Sequence, residues 1–303
     1  MPHVKANGLD IYYESHGPDD AEPILLIMGL GAQMSRWSPE LIAKLVAAGH
    51  RVIAFDNRDV GLTEKLDAAG APDMREVIAA VSQGRQAPVA YTLDDMAADA
   101  AGLLQALGVE RAHIVGASMG GMIAQLVAAD FPERTASLTS IMSSTGNPGL
   151  PRAKPEAMAR LNTPAPNPNE NLEAFLDHTV EGAKVMAGTY PVNEKLVREN
   201  ALSDFRRSYY PVGFQRQYAG IMASPDRRPK LKTITAPTVV IHGDVDPLVP
   251  VEGGRDTAEN IPGAELIIVP GAGHEIPLPV LDVFVDGILS AVARSRAPAE
   301  AAE

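Results

Sequence analysis

The sequence predicts an α/β protein: a mostly parallel, doubly wound sheet of about eight strands, with a helical cap inserted into it. Three observations predict this. The apolar runs "PILLIMG" (23–29), "RVIAFD" (51–56) and "AHIVGA" (112–117) are continuous rather than alternating, as strands buried on both faces must be. Stretches of helical character separate them. Residues 144–232 then carry helix-like pieces and no strand signal, which marks an insertion between two halves of one sheet.

The elements follow in order. "HVKANGLDIYYESHG" alternates in polarity around Asn7-Gly8, the pair that best accommodates a tight hairpin turn, and predicts two antiparallel strands at the start. After the run at 23–29, "SPELIAKLVAAG" reads as a helix with Ser38 as N-cap, Pro39 in the first turn and Gly49 at its end. The strand at 51–56 leads into a loop-rich stretch. "TLDDMAADAAGLLQALG" is a helix whose Thr92 and Asp95 have capping-box spacing. The strand at 112–117 runs into the helix "MGGMIAQLVAAD", which closes near Phe131-Pro132. "TASLTSIMS" (135–143), "APTVVIHGD" (236–244) and "AELIIVPG" (264–271) are further strands, and "LPVLDVFVDGILSAVARS" is the terminal helix. The core domain is thus expected from 1–143 and 233–295, the cap from 144–232, and a frayed tail at 296–303.

Composition narrows the function. The 303 residues bury enough surface to need no covalent or metal staple, and there is no cysteine, which removes disulfides, thiolate nucleophiles and Cys-based metal sites. A net charge of −12 argues against a nucleic-acid partner or an anionic membrane surface. No apolar run of about eighteen residues is present, so no membrane span is expected. "MPHVKANGLD" lacks the basic and apolar regions of a leader, which makes a cytoplasmic location the expectation.

The chemistry centres on Ser118. "GASMG" (116–120) has the pattern G-x-S-x-G, in which glycines permit a sharp turn at the serine and close packing of strand on helix. The pattern alone is common by chance; its place between a strand and a helix gives it weight. The N-terminus of the following helix favours negative charge developing beside the hydroxyl. A serine hydroxyl needs a base. Of seven histidines, His274 stands in a Gly-rich loop, "VPGAGHEIP", after the last strand. His113 and His242 fall within strands and read as buried core residues, while His3, His16, His50 and His178 read as surface positions. The base in turn needs a carboxylate to set its tautomer, and "IHGDVDPLVP" offers Asp244 and Asp246 at a strand end. All these groups follow strands, at the carboxyl edge where open α/β sheets bind ligands.

With these residues in place the chain resembles the α/β-hydrolase superfamily of serine hydrolases over nearly its full length. "IMGLGAQMSRW", "VIAFDNRDVGLT" and "VGASMGGMIAQ" look like its branch of aclacinomycin methylesterases and bacterial lipases and esterases. The resemblance implies a catalytic triad with Ser118 as nucleophile, His274 as base and Asp246 as acid. Asp246 matches the second aspartate of a G-x-x-D-x-x-V-P pattern, and Asp244 becomes structural. It also implies an oxyanion hole built from the backbone N–H groups of Met119 and Leu30. "Met28-Gly29-Leu30-Gly31" replaces the usual His-Gly form, so Gly29 stands as the alternative second donor. "DNRDVG" (56–61) carries Asp59 where glycine is usual. Its charges read as a structural turn with a salt bridge rather than as substrate contacts.

The function expected is a serine carboxylesterase that cleaves an uncharged, fairly apolar small-molecule ester through an acyl-enzyme. It needs no cofactor and no metal, and it works as a monomer or homodimer. The apolar preference rests on Met158, Phe175, Met186, Tyr190, Phe205, Tyr209, Tyr210, Phe214, Tyr218 and Met222 in the cap, some of which form its own core. Alternatives with the same triad are carbon–carbon hydrolases, lactonases, thioesterases and perhydrolases. A non-enzymatic small-molecule receptor is a further reading, disfavoured by the intact set of three residues.

Overall fold

Eight strands form one sheet in the order β1-β2-β4-β3-β5-β6-β7-β8. The computed structural model describes residues 2–296, so residues 297–303 of the expected tail lie outside the described residues. β1 (His3–Ala6) and β2 (Leu9–His16) make the hairpin around Asn7 and Gly8, and β2 joins the sheet antiparallel to β4 (Arg51–Phe55). From β4 onward every pairing is parallel: β3 (Pro23–Ile27), β5 (Ala112–Ala117), β6 (Thr135–Ile141), β7 (Thr238–Gly243) and β8 (Glu265–Val269).

The helices cover both faces, which is why the central strands are apolar throughout. α1 (Pro39–Ala47), capped by Ser38, and α11 (Leu281–Arg296) enclose one core with Leu26, Trp37, Leu41, Ile241 and Phe284. α3 (Leu93–Ala106), with its Thr92/Asp95 capping box, and α4 (Met119–Asp130) enclose the other, with Leu25, Phe55, Leu103, Ile114 and Ile123. Each such fully buried side chain contributes about 1.5–3 kcal/mol relative to exposure. Among the described residues, no helix is long and apolar enough to cross a membrane.

Two helices lie where no helix is expected from the sequence. α2 (Met74–Ser82) occupies part of the expected loop after β4, N-capped by Asp73. α10 (Val251–Asn260) follows β7 despite Gly253 and Gly254 in its first turn. Between β6 and β7 the chain forms α5 (Pro155–Asn162), α6 (Leu172–Met186), α7 (Glu194–Arg207), α8 (Pro211–Ala223) and the short α9 (Arg228–Leu231), with no strand. His50, expected at the surface, is buried and lies edge-on to the buried His113.

Candidate active site

Ser118 is the single residue between β5 and α4. Its backbone sits at φ 56° and ψ −121°, in the half of the map that side chains avoid, at a cost of about 1–3 kcal/mol. The surrounding structure compels this. Ser118 N–H donates to Ile141 O at 2.9 Å, and Ser118 O accepts from Gly121 N–H and from the Ser143 hydroxyl, both at 2.9 Å. Glycine at 120 is obligatory, because a Cβ there would stand 2.0 Å from Ile27 O. The turn therefore projects the hydroxyl away from the sheet, at the head of α4.

Two loops converge on that hydroxyl. His274, in the loop after β8, places Nε2 2.9 Å from Ser118 Oγ and Nδ1 2.7 Å from Asp246 Oδ2. Its own N–H donates to Met186 O at 2.7 Å, which ties the loop to the end of α6. Asp246, in the loop after β7, is buried, and its Oδ1 accepts the N–H groups of Leu248 and Val249 at 2.8 Å each. Burial opposes its charge. The facing His274, hydrogen bonds from the histidines and the Val249 N–H outweigh that and hold the carboxyl well below the usual carboxylate range. An ionised carboxylate only accepts, so the His274 proton resides on Nδ1 and Nε2 is free to take the serine proton.

His242 is fully buried on β7; its Nε2 lies 2.8 Å from Val249 O and 3.5 Å from Asp246 Oδ2. Asp244 points elsewhere: it is exposed, and its Oδ1 accepts Gly271 N–H at 2.6 Å, fastening the β7 and β8 loops together. The structure thus brings Ser118, His274 and Asp246 into one hydrogen-bonded row and leaves Asp244 outside it.

Met119 follows the serine in the chain, and Leu30 lines the same cavity as His274. Met119 opens α4, where the first N–H groups of a helix have no intrahelical acceptor. Leu30 sits in a turn after β3 that Ala32 N–H closes onto Gly29 O at 3.2 Å. Gly29 itself packs on the elbow: a Cβ there would lie 3.2 Å from both Ala117 O and Ser118 Cβ. Asn57 and Gln217, neither singled out in the sequence, reach this turn; Asn57 Nδ2 donates to Met28 O and Gly31 N–H donates to Gln217 Oε1, both at 2.8 Å.

The charged segment after β4 is internal. Arg58 is paired with Asp99 at 2.6 Å and Asp59 with Arg216 at 2.7 Å, all four buried. Asp59 also accepts from the Tyr91 hydroxyl and from Leu66 N–H. Asp56 accepts the N–H groups of Met34 and Leu62 at 2.9 Å each and pairs with Arg207. These charges are taken up by one another and by backbone N–H groups, and none of them lines the cavity beside His274.

A sequence model of the α/β-hydrolase fold matches residues 22–279. The chain belongs to that family. It is 30% identical to a rhodomycin D methylesterase, DnrP, of Streptomyces peucetius, over 87% of this chain and 88% of the relative. It is equally 30% identical to a putative carbamate hydrolase, RutD, of Variovorax paradoxus, over 96% of this chain and 98% of that one. Among solved structures, a meta-cleavage product hydrolase from Pseudomonas fluorescens superposes with a TM-score of 0.73 at 20% identity, covering 98% of each chain. An enol-lactonase from Burkholderia xenovorans gives 0.70 at 22% identity, over 96% of this chain and all of the other. Likenesses at that identity speak for the fold alone; the family match and the curated relatives make the chain a hydrolase.

This hydrolase has a cavity of about 520 Å³ beside His274. Met28, Leu30, Leu41, Ala117, Met142 and Ile276 give it an apolar wall, while Arg36, Asp204 and Glu275 supply polar groups. Arg36 is neutralised by Asp204 at 2.5 Å. Burial pushes the Glu275 carboxyl above its ordinary range. The methionine and aromatic residues of 144–232 that suggest an apolar preference in the sequence do not line this cavity. Phe175, Phe205 and Tyr209 pack on one another with ring centroids 5.7–6.4 Å apart, and Phe214 stacks on Tyr218. These rings are only partly buried, with Tyr209 exposed, and the apolar wall comes from residues outside 144–232 instead.

Proposed function

We propose that the protein is a serine carboxylesterase acting on uncharged, fairly apolar small-molecule esters. The observation that carries this reading is the row Asp246–His274–Ser118, with its two hydrogen bonds of 2.7 and 2.9 Å. In the reaction, Ser118 Oγ attacks the ester carbonyl carbon as His274 Nε2 takes the hydroxyl proton. The carbonyl oxygen, now carrying the negative charge, accepts the N–H groups of Leu30 and Met119. The C–O bond to the alcohol breaks and the imidazolium returns the proton to the departing oxygen. Water, deprotonated by His274, then attacks the acyl-enzyme and releases the acid and free Ser118. Asp246 stays ionised and stabilises the imidazolium in both halves. Each oxyanion donor contributes about 3 kcal/mol to transition-state stability.

The substrate reading rests on the cavity, one wall of which is apolar and whose volume is within the range for small-molecule sites, about 300–1,000 Å³. The names of the relatives agree, since one acts as a methylesterase. Residues 144–232 serve as the cap over a core made from 1–143 and 233–295. The test is hydrolysis of p-nitrophenyl esters from acetate to palmitate by wild type and Ser118→Ala. Serine-dependent turnover with a chain-length optimum supports the reading. A folded wild type that turns over none of them refutes it.

A further inference from the structure

We propose that Gln217, on α8, is a positioning residue for the oxyanion turn. This rests on the function just proposed. The N–H of Leu30 belongs to the peptide between Gly29 and Leu30, and its direction is set by the two neighbouring peptides. Both are pinned by buried side-chain amides. On one side Asn57 Nδ2 donates to Met28 O at 2.8 Å. On the other, Gly31 N–H donates to Gln217 Oε1 at 2.8 Å. Gln217 is wholly buried, and its Nε2 donates to Arg58 O at 2.8 Å, so neither end of the amide can turn without losing a bond. With Gly31 N–H committed to Gln217 and Ala32 N–H to Gly29 O, the donors this turn keeps for the oxyanion are Leu30 N–H, the one proposed, and Gly29 N–H as its alternative.

α8 is itself immobilised on the core, which makes Gln217 a fixed reference. Arg216 holds Asp59 through two contacts of 2.7 Å. Gly213 lies so close to Asp59 that a Cβ would stand 2.0 Å from Asp59 O. Phe214 presses on the same turn: a Cβ at Gly31 would lie 2.7 Å from its ring, and Gly31 has a φ of +67°. The helix therefore meets the oxyanion turn through Phe214 and Gln217 and the neighbouring charged loop through Gly213 and Arg216. Preorganised donors act where charge develops, so a displaced Leu30 N–H lowers kcat and leaves KM nearly unchanged. A displacement of about 1 Å costs on the order of 10²-fold in rate.

The experiment compares wild type, Gln217→Met and Gln217→Glu. Gln217→Met keeps the volume and loses both hydrogen bonds; Gln217→Glu keeps the acceptor for Gly31 N–H. Thermal stability, kcat and KM on p-nitrophenyl butyrate, and affinity for a trifluoromethyl ketone that forms an oxyanion on Ser118 are measured. The expected result for Gln217→Met is a fall in kcat of roughly 10²-fold, with KM changed by less than about twofold and ketone binding weakened in parallel. Gln217→Glu recovers part of the loss in both readouts. A stable Gln217→Met with wild-type kcat and ketone affinity overturns the proposal, as does a Gln217→Glu that fares no better than Gln217→Met. If wild type shows no serine-dependent turnover, the proposed function fails instead. Amide exchange at Gly31 then decides the pinning: faster exchange in Gln217→Met supports it and unchanged exchange overturns it.

Discussion

Asp246 divides its two carboxylate oxygens between two tasks: Oδ2 faces His274 Nδ1 at 2.7 Å, while Oδ1 accepts the N–H groups of Leu248 and Val249. Two backbone donors on one oxygen fix which way round the side chain lies. In Asp246→Asn the amide oxygen must stay on those donors, so the NH2 group is turned toward His274. That forces the tautomer with the proton on Nε2, which cannot accept from Ser118. Turnover of p-nitrophenyl butyrate is expected to fall about 10⁴-fold with the fold intact. Asp244→Asn, which loosens only the contact to Gly271, is expected to stay within a few-fold of wild type. An equal loss in both would reassign the acid.

Glu275 carries a charge cost that a neutral replacement removes. Burial raises its carboxyl above the ordinary range, so the folded state holds the proton to higher pH than the unfolded chain. The stability this lends is complete below the unfolded value, ~4.3, and is lost as pH rises through the folded value. Glu275→Gln is therefore expected to melt higher than wild type at neutral pH, with the gap closing on acidification. Thermal melts across that interval check the sign; a lower melting temperature at neutral pH would contradict it.

The Asp59–Arg216 pair is buried at both ends. Asp59→Asn leaves the guanidinium without its counter-ion and is expected to destabilise the fold by about 3–5 kcal/mol. Urea unfolding measures this. A change below about 1 kcal/mol would mean that solvent reaches Arg216 and that α8 is not anchored as described.

At the elbow, Gly120→Ala places a methyl 2.0 Å from Ile27 O. β3 and α4 must separate to admit it. Loss of soluble folded protein, or of all activity, is expected in expression and turnover assays, and an active, stable variant would contradict this packing.

Much of this was readable from local pattern. The strand-to-helix passage around Ser118 has a period change at a glycine pair, and the loops carrying His274 and Asp246 follow uninterrupted apolar runs. What escaped reading has physical causes. α10 was masked by Gly253 and Gly254, which are poor helix formers but are needed because a Cβ at 254 would stand 2.5 Å from His242 Nδ1. α2 has a mixed surface with Ile78 and Val81 exposed, so its apolar stripe is blurred. Gln217 gave no signal, since its partners Gly31 and Arg58 lie far away in sequence and meet it only through tertiary packing. The aromatic residues of 144–232 carried no sign of which surface each would meet: Phe214 lies against Gly31, while Tyr209 stays exposed.

The proposed chemistry passes through a covalent acyl-enzyme on Ser118. The direct measurement is mass spectrometry of enzyme quenched during turnover of p-nitrophenyl butyrate. A butyryl adduct is expected on the peptide that contains Ser118, present in wild type and missing in Ser118→Ala. An active wild type with no adduct there, or an adduct on another residue, would contradict it.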